Sequence, residues 1–120
     1  MSSNDAGPLE RLINATRYSL QGLAYAWANE AAFRYEIYVL AVALPAAWLL
    51  GKNAVERALL IGSVLLVVVV ELINSAIEAT VDRVSTDHHE LSGHAKDLAS
   101  SSVFASIVLA IAVWFTIVFG

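Results

Sequence analysis

The sequence contains no cysteine. That rules out a disulfide framework, a thiolate nucleophile and a cysteine-ligated zinc site. Charge is scarce as well: Asp, Glu, Lys and Arg make up 15% of the 120 residues, against 58% hydrophobic residues. With a mean hydropathy of +0.67, the chain is too apolar for a soluble domain of this length, which could not bury so much apolar surface. A bilayer is the solvent that accommodates it. The formal net charge is −4 and there is no basic stripe, which argues against a nucleic-acid partner. The opening MSSNDAGPLERLINATR lacks a basic region followed by an apolar one, so a cleavable signal peptide is not expected. No internal repeat or low-complexity tract is present.

What is there reads as an all-α membrane protein with an N-terminal amphipathic interfacial helix and three transmembrane helices. Residues 1–8 form a loose tail ending in Gly7-Pro8. Over 9–28, Leu9, Leu12, Ile13, Leu20, Leu23, Ala24 and Trp27 recur at helical spacing, with Arg11, Arg17 and Gln21 off that stripe. Such a helix suits the membrane interface. Apolar stretches over 32–50, 54–81 and 98–119 are each near the roughly 20 residues that cross a bilayer. Gly51-Lys52-Asn53 makes a short turn, and a charged loop is expected over 82–97, interrupted at Ser92-Gly93. Trp48 and Trp114 fit an aromatic belt at the membrane interface. The chain is expected to be one domain over 1–120. Arg11, Arg17, Arg34, Arg83 and Lys96 flank one side of the spans, against Lys52 and Arg57 on the other. This bias places the N-terminus and the loop 82–97 in the cytoplasm.

The segment VVVVELINSAIEATVDR, residues 67–83, puts acids inside an apolar run. A charge at the bilayer centre costs about 2.5–3.5 kcal/mol on insertion scales, so such acids mark function. At about 100° per residue, Glu71, Ser75, Glu78 and Asp82 share one narrow arc with Asn74 on its flank. That face must meet protein or water. Glu71 lies roughly 10 Å deeper than Glu78 along the helix, too far for both to hold one ion. Separate tasks are expected, with Glu78 at the watery edge and Glu71 at lipid depth. Glu30, Glu36, Glu90, Lys96 and Asp97 gather at the same membrane level. Carboxylates with one lysine suit a Mg²⁺-nucleotide: the acids hold the hard cation and the lysine neutralises phosphate oxygens. Taken singly, Glu30, Glu36, Glu90 and Asp97 also read as solvated charges at helix ends. His88, His89 and His94 fit no standard zinc spacing.

NEAAFRYE (29–36), ELINSAIEATVDR (71–83) and HHELSGHAKD (88–97) together resemble the small integral-membrane diacylglycerol kinases of bacteria. The resemblance runs over nearly the whole chain. It implies a homotrimer of three-span subunits in the bacterial inner (cytoplasmic) membrane, with active sites between neighbouring subunits. The implied reaction moves the γ-phosphoryl of MgATP to the primary hydroxyl of diacylglycerol, giving phosphatidic acid. By this resemblance Glu71 is the general base and Asn74 positions it, while Glu30 and Glu78 are the metal carboxylates. Lys96 meets phosphate and Asp97 lies near the adenosine. His89, Glu90 and Gly93 border the nucleotide, and Glu36 and Asp82 orient the neighbouring acids or helices. Arg11 and Ser19 of the surface helix resemble positions on the lipid or phosphate path, and Ser100 is a further candidate contact for lipid. The chain departs from the family at His94, where a basic residue is frequent, and at Leu20-Gln21, where Trp-Lys is frequent. No G-x-x-x-x-G-K-[ST], G-x-G-x-x-G, H-R-D or D-F-G motif accompanies these residues. Two other readings compete: an undecaprenol kinase, with the same acids and another acceptor, and a small proton-coupled multidrug exporter, a family with four spans rather than three.

Overall fold

A computed structural model describes residues 7–84 and 89–120. These residues form four α-helices and no strand: α1 Pro8–Asn29, α2 Ala31–Leu50, α3 Ala54–Val84 and α4 Glu90–Phe119. The last three are long and apolar enough to cross a membrane. Of the tail expected over 1–8, residues 1–6 lie outside the described residues, and Pro8 is already the first residue of α1. Its fixed φ suits that position, where the missing N–H has no helical partner to lose.

Between α1 and α2 the chain turns on one residue. Glu30 is extended, at φ −118° and ψ 103°. Its amide still donates to the Ala26 carbonyl at 2.8 Å, and its carbonyl accepts from the Arg34 amide at 3.3 Å. The Arg34 guanidinium reaches back and donates to the Trp27 carbonyl at 2.7 Å. One of the orphan carbonyls at the end of α1 is thereby satisfied. Trp27 also meets Tyr38 edge to face, with ring centroids 5.8 Å apart. Ala26, Phe33 and Val68 form a buried cluster with Ile37, Leu40 and Leu72 packed against it. The end of α1 is therefore anchored on α3 within one turn of Glu71. The apolar stripe further up α1 is left uncovered by the chain, with Leu12 64% and Leu20 62% exposed.

The α2–α3 turn is held from both sides. Asn53 Oδ1 accepts from the Glu56 amide at 2.9 Å, and Glu56 Oε1 accepts from the Lys52 amide at 3.0 Å. This reciprocal arrangement is close to a capping box. Arg57 Nε donates to the Trp48 carbonyl at 3.1 Å, and its guanidinium carbon stands 4.3 Å from the Trp48 ring centroid. Trp48 is thus a packing partner of Arg57 as well as an aromatic at a helix end. Pro45 lies inside α2 without ending it, which a transmembrane helix tolerates.

The charged segment expected as a loop over 82–97 is helical at both ends. α3 continues to Val84 and α4 begins at Glu90. His89 caps α4: its Nδ1 accepts from the Leu91 amide at 3.1 Å, and the acid at Glu90 suits the positive end of the helix dipole. The break expected at Ser92-Gly93 is absent. Gly93 donates to the His89 carbonyl at 2.9 Å as an ordinary residue of the first turn. Polarity there marks a solvated helical face, not a change of backbone. His88 lies outside the described residues.

Candidate active site

The site is built on the polar face of α3. Glu71 is 5% exposed and Asn74 is 9% exposed, and Glu78, one turn further on, is half-buried. Asn74 Nδ2 donates to Glu71 Oε2 at 3.1 Å and to Glu78 Oε1 at 3.2 Å. An amide nitrogen carries two hydrogens, one for each carboxylate. The sequence spacing separates the two acids along the axis, but the side chains turn toward each other through this shared donor. Their two oxygens are no farther apart than the sum of those two hydrogen bonds.

α2 brings a third carboxyl. Glu36 lies beside Glu71, near enough for the two carboxyls to interact. Two buried acceptors, Glu36 Oε2 and Asn74 Oδ1, have no hydrogen-bond donor among the described residues. A buried acceptor left without a donor is costly. Among the described residues, Glu36 is also the one charged residue lining an open cleft of about 710 Å³ between α2, α3 and α4, whose other walls include Val39, Val42, Val67, Ile107 and Trp114.

A second group lies where α3 and α4 face each other. Lys96 Nζ meets Asp82 Oδ1 at 2.6 Å and also lies in the field of Glu78. Asp97 and Ser100 are exposed on α4. The Asp97 carbonyl accepts from the Ser101 hydroxyl at 2.8 Å. Glu90 and His94 pair one turn apart at 3.6 Å.

Glu30 is half-buried at the α1–α2 corner, on the side of the bundle where the Phe33–Val68 cluster anchors that corner. No three acidic or histidine side chains converge to metal-binding distance among the described residues. Arg11 and Ser19 are exposed on α1. The Ser19 hydroxyl donates to the Ala15 carbonyl at 2.8 Å. Arg34 ties the two helices at the α1–α2 corner. Its hydrogen bond spans seven residues across a helix break, a spacing that helical periodicity does not reveal.

The model of the prokaryotic diacylglycerol kinase family matches residues 17–118. Among curated relatives, the diacylglycerol kinase of Haemophilus influenzae is 50% identical over 111 residues, covering 92% of this chain and 94% of the relative. That of Escherichia coli K12 is 50% identical over 115 residues, covering 95% and 93%. That of Pseudomonas aeruginosa is 48% identical over 112 residues, covering 93% and 91%. With a family match over most of its length and relatives this similar along nearly all of theirs, the chain belongs to the prokaryotic diacylglycerol kinase family.

Proposed function

We propose that this protein transfers the γ-phosphoryl of ATP to the primary hydroxyl of diacylglycerol at the cytoplasmic edge of a bacterial inner membrane. The similar proteins from Haemophilus, Escherichia and Pseudomonas all bear the name diacylglycerol kinase. The observation that carries the reading to this chain's own residues is the buried Glu71, tied through Asn74 to the half-buried Glu78. A lipid hydroxyl arrives at membrane depth and a nucleotide arrives from water. Glu71 and Glu78 face these two approaches from one helix.

In this reading Glu71 takes the hydroxyl proton as the hydroxyl oxygen attacks the γ-phosphorus. The bond from that phosphorus to the β-phosphate bridging oxygen breaks, and ADP leaves. Asn74 aims the Glu71 carboxylate, and Glu36 lies against it from α2. The cleft that opens at Glu36 is apolar enough to hold part of an acyl chain. Glu30 and Glu78 would hold Mg²⁺, which supplies neutralisation of charge on the phosphate oxygens. Hard carboxylate oxygens fit that ion. Mg²⁺ is commonly held by one or two carboxylates plus phosphate oxygens, so a cluster of three acids is not required. Lys96 reaches phosphate, His89, Glu90, Gly93 and Asp97 border the nucleotide, and Arg11, Ser19 and Ser100 lie on the lipid side. The working unit is a homotrimer with sites shared between subunits.

The test is phosphoryl transfer from labelled MgATP in lipid micelles, with diacylglycerol and undecaprenol offered side by side. Label in diacylglycerol is the expected result. Preference for undecaprenol would keep the chemistry and change the acceptor. No transfer to either, by folded protein, would overturn the reading.

A further inference from the structure

We infer that Asp82 is a positioning residue for Lys96: it holds the ammonium in place over α3 before the nucleotide arrives, and so sets the affinity for nucleotide phosphates. The inference rests on the role proposed above for Lys96 at phosphate. Their contact, 2.6 Å from Nζ to Oδ1, links two helices, whereas the Glu90–His94 pair lies within α4. The side chains are 44% exposed for Lys96 and 62% exposed for Asp82. At that exposure an ion pair contributes little to stability. Its consequence is geometric.

A lysine side chain has four rotatable bonds and a compact charge with three donors. Unpinned, the ammonium samples a wide volume of solvent. Asp82 takes one donor and fixes its direction. Asp82 and Glu78 are one turn apart on the same helix, and Lys96 is attracted to both. The ammonium is thus held at Asp82, one turn from the candidate metal carboxylate Glu78. Its two remaining hydrogens stay available to phosphate oxygens. Asp82 itself need not touch the nucleotide, and its negative charge would repel phosphate if it did. An ordering role fits both its exposure and its sign.

The test uses the full chain in lipid micelles. KM for MgATP, KM for the lipid acceptor and kcat are measured for Asp82→Asn, Asp82→Glu, Lys96→Met and the double variant Asp82→Asn/Lys96→Met. Binding of a non-hydrolysable MgATP analogue gives a second readout that needs no turnover. Asp82→Asn is expected to weaken nucleotide binding on the order of three- to tenfold, the scale of coupling between touching groups. KM for the lipid and the melting temperature stay where they were, and Asp82→Glu recovers part of the loss. In the Lys96→Met background, Asp82→Asn has no further effect. An equal effect of Asp82→Asn in both backgrounds would overturn the inference and leave the role of Lys96 standing. So would a melting temperature that falls while both KM values move together. If Lys96→Met binds the analogue normally, the role of Lys96 at phosphate fails and the inference falls with it.

Discussion

Trp114 on α4 donates its indole N–H to the main-chain carbonyl of Leu60 on α3, at 3.0 Å. Leu60 is fully buried, and the Ser63 hydroxyl donates to the same carbonyl at 2.9 Å. Between membrane helices, packing and hydrogen bonds drive association, because lipid is as apolar as leucine. Trp114→Phe keeps the ring's bulk and removes the donor. It should cost about 1 kcal/mol, read as a lower midpoint of unfolding in mixed micelles. An unchanged midpoint would reduce Trp114 to a belt residue.

Gly51 is required by a close approach. A Cβ there would stand 2.5 Å from Arg57 Cγ and 2.9 Å from the Ala47 carbonyl oxygen. The arginine stem can shift, but the carbonyl belongs to the last turn of α2. Gly51→Ala should therefore destabilise by about 1–3 kcal/mol, the scale of overpacking. It should also disturb the stacking of Arg57 on Trp48. The unfolding midpoint and the emission of Trp48 check both parts, with Trp27 and Trp114 replaced by phenylalanine so that Trp48 alone emits.

Arg34→Met should loosen the corner that carries Glu30. A charge-assisted hydrogen bond to the Trp27 carbonyl is lost, at about 1.5–3 kcal/mol in a well-ordered setting. Proteolysis near 27–34 in micelles should accelerate, and the Mg²⁺ requirement should rise if Glu30 is displaced. A normal Mg²⁺ requirement with faster proteolysis would separate the corner from the metal.

Glu71→Gln should keep the fold and MgATP binding while lowering turnover on the order of 10²–10⁴-fold, the usual contribution of a general base. Asn74→Asp should be worse than Asn74→Ala, because it puts a third carboxylate against the two that Asn74 now bridges. Initial rates at saturating substrates compare the three. Near-normal turnover in Glu71→Gln would remove it as the base.

Glu78→Gln should raise the Mg²⁺ concentration for half-maximal rate by at least on the order of tenfold, since even residues outside the coordination sphere cost that much when lost. An Mg²⁺ titration at fixed ATP measures it. An unchanged dependence would take Glu78 out of the metal site.

Much of this architecture was legible in the residues. Periodicity gave α1, and the apolar runs gave three spans, because a bilayer leaves few alternatives to a helix. The 100° arithmetic placed Glu71, Asn74 and Glu78 together. The segment 82–97 misled for a definite reason: charge and Gly93 read as a loop, yet a helix that leaves the membrane stays helical while its face becomes polar. His89 supplied the cap that makes this possible, and a histidine at such a position is a weak signal. The contacts of Asp82 with Lys96, Glu36 with Glu71 and Trp114 with Leu60 join separate helices. Such contacts depend on how the helices are rotated against each other, which spacing within one helix does not fix.

The shared amide of Asn74 ties the buried Glu71 and the half-buried Glu78 of α3 into one unit. A cation drawing Glu78 away would release one amide hydrogen and free the side chain to settle on Glu71 alone. Under the proposed roles, rotation about a single Cβ–Cγ bond would then link occupancy at Glu78 to the hydrogen bonding of Glu71, two helical turns away.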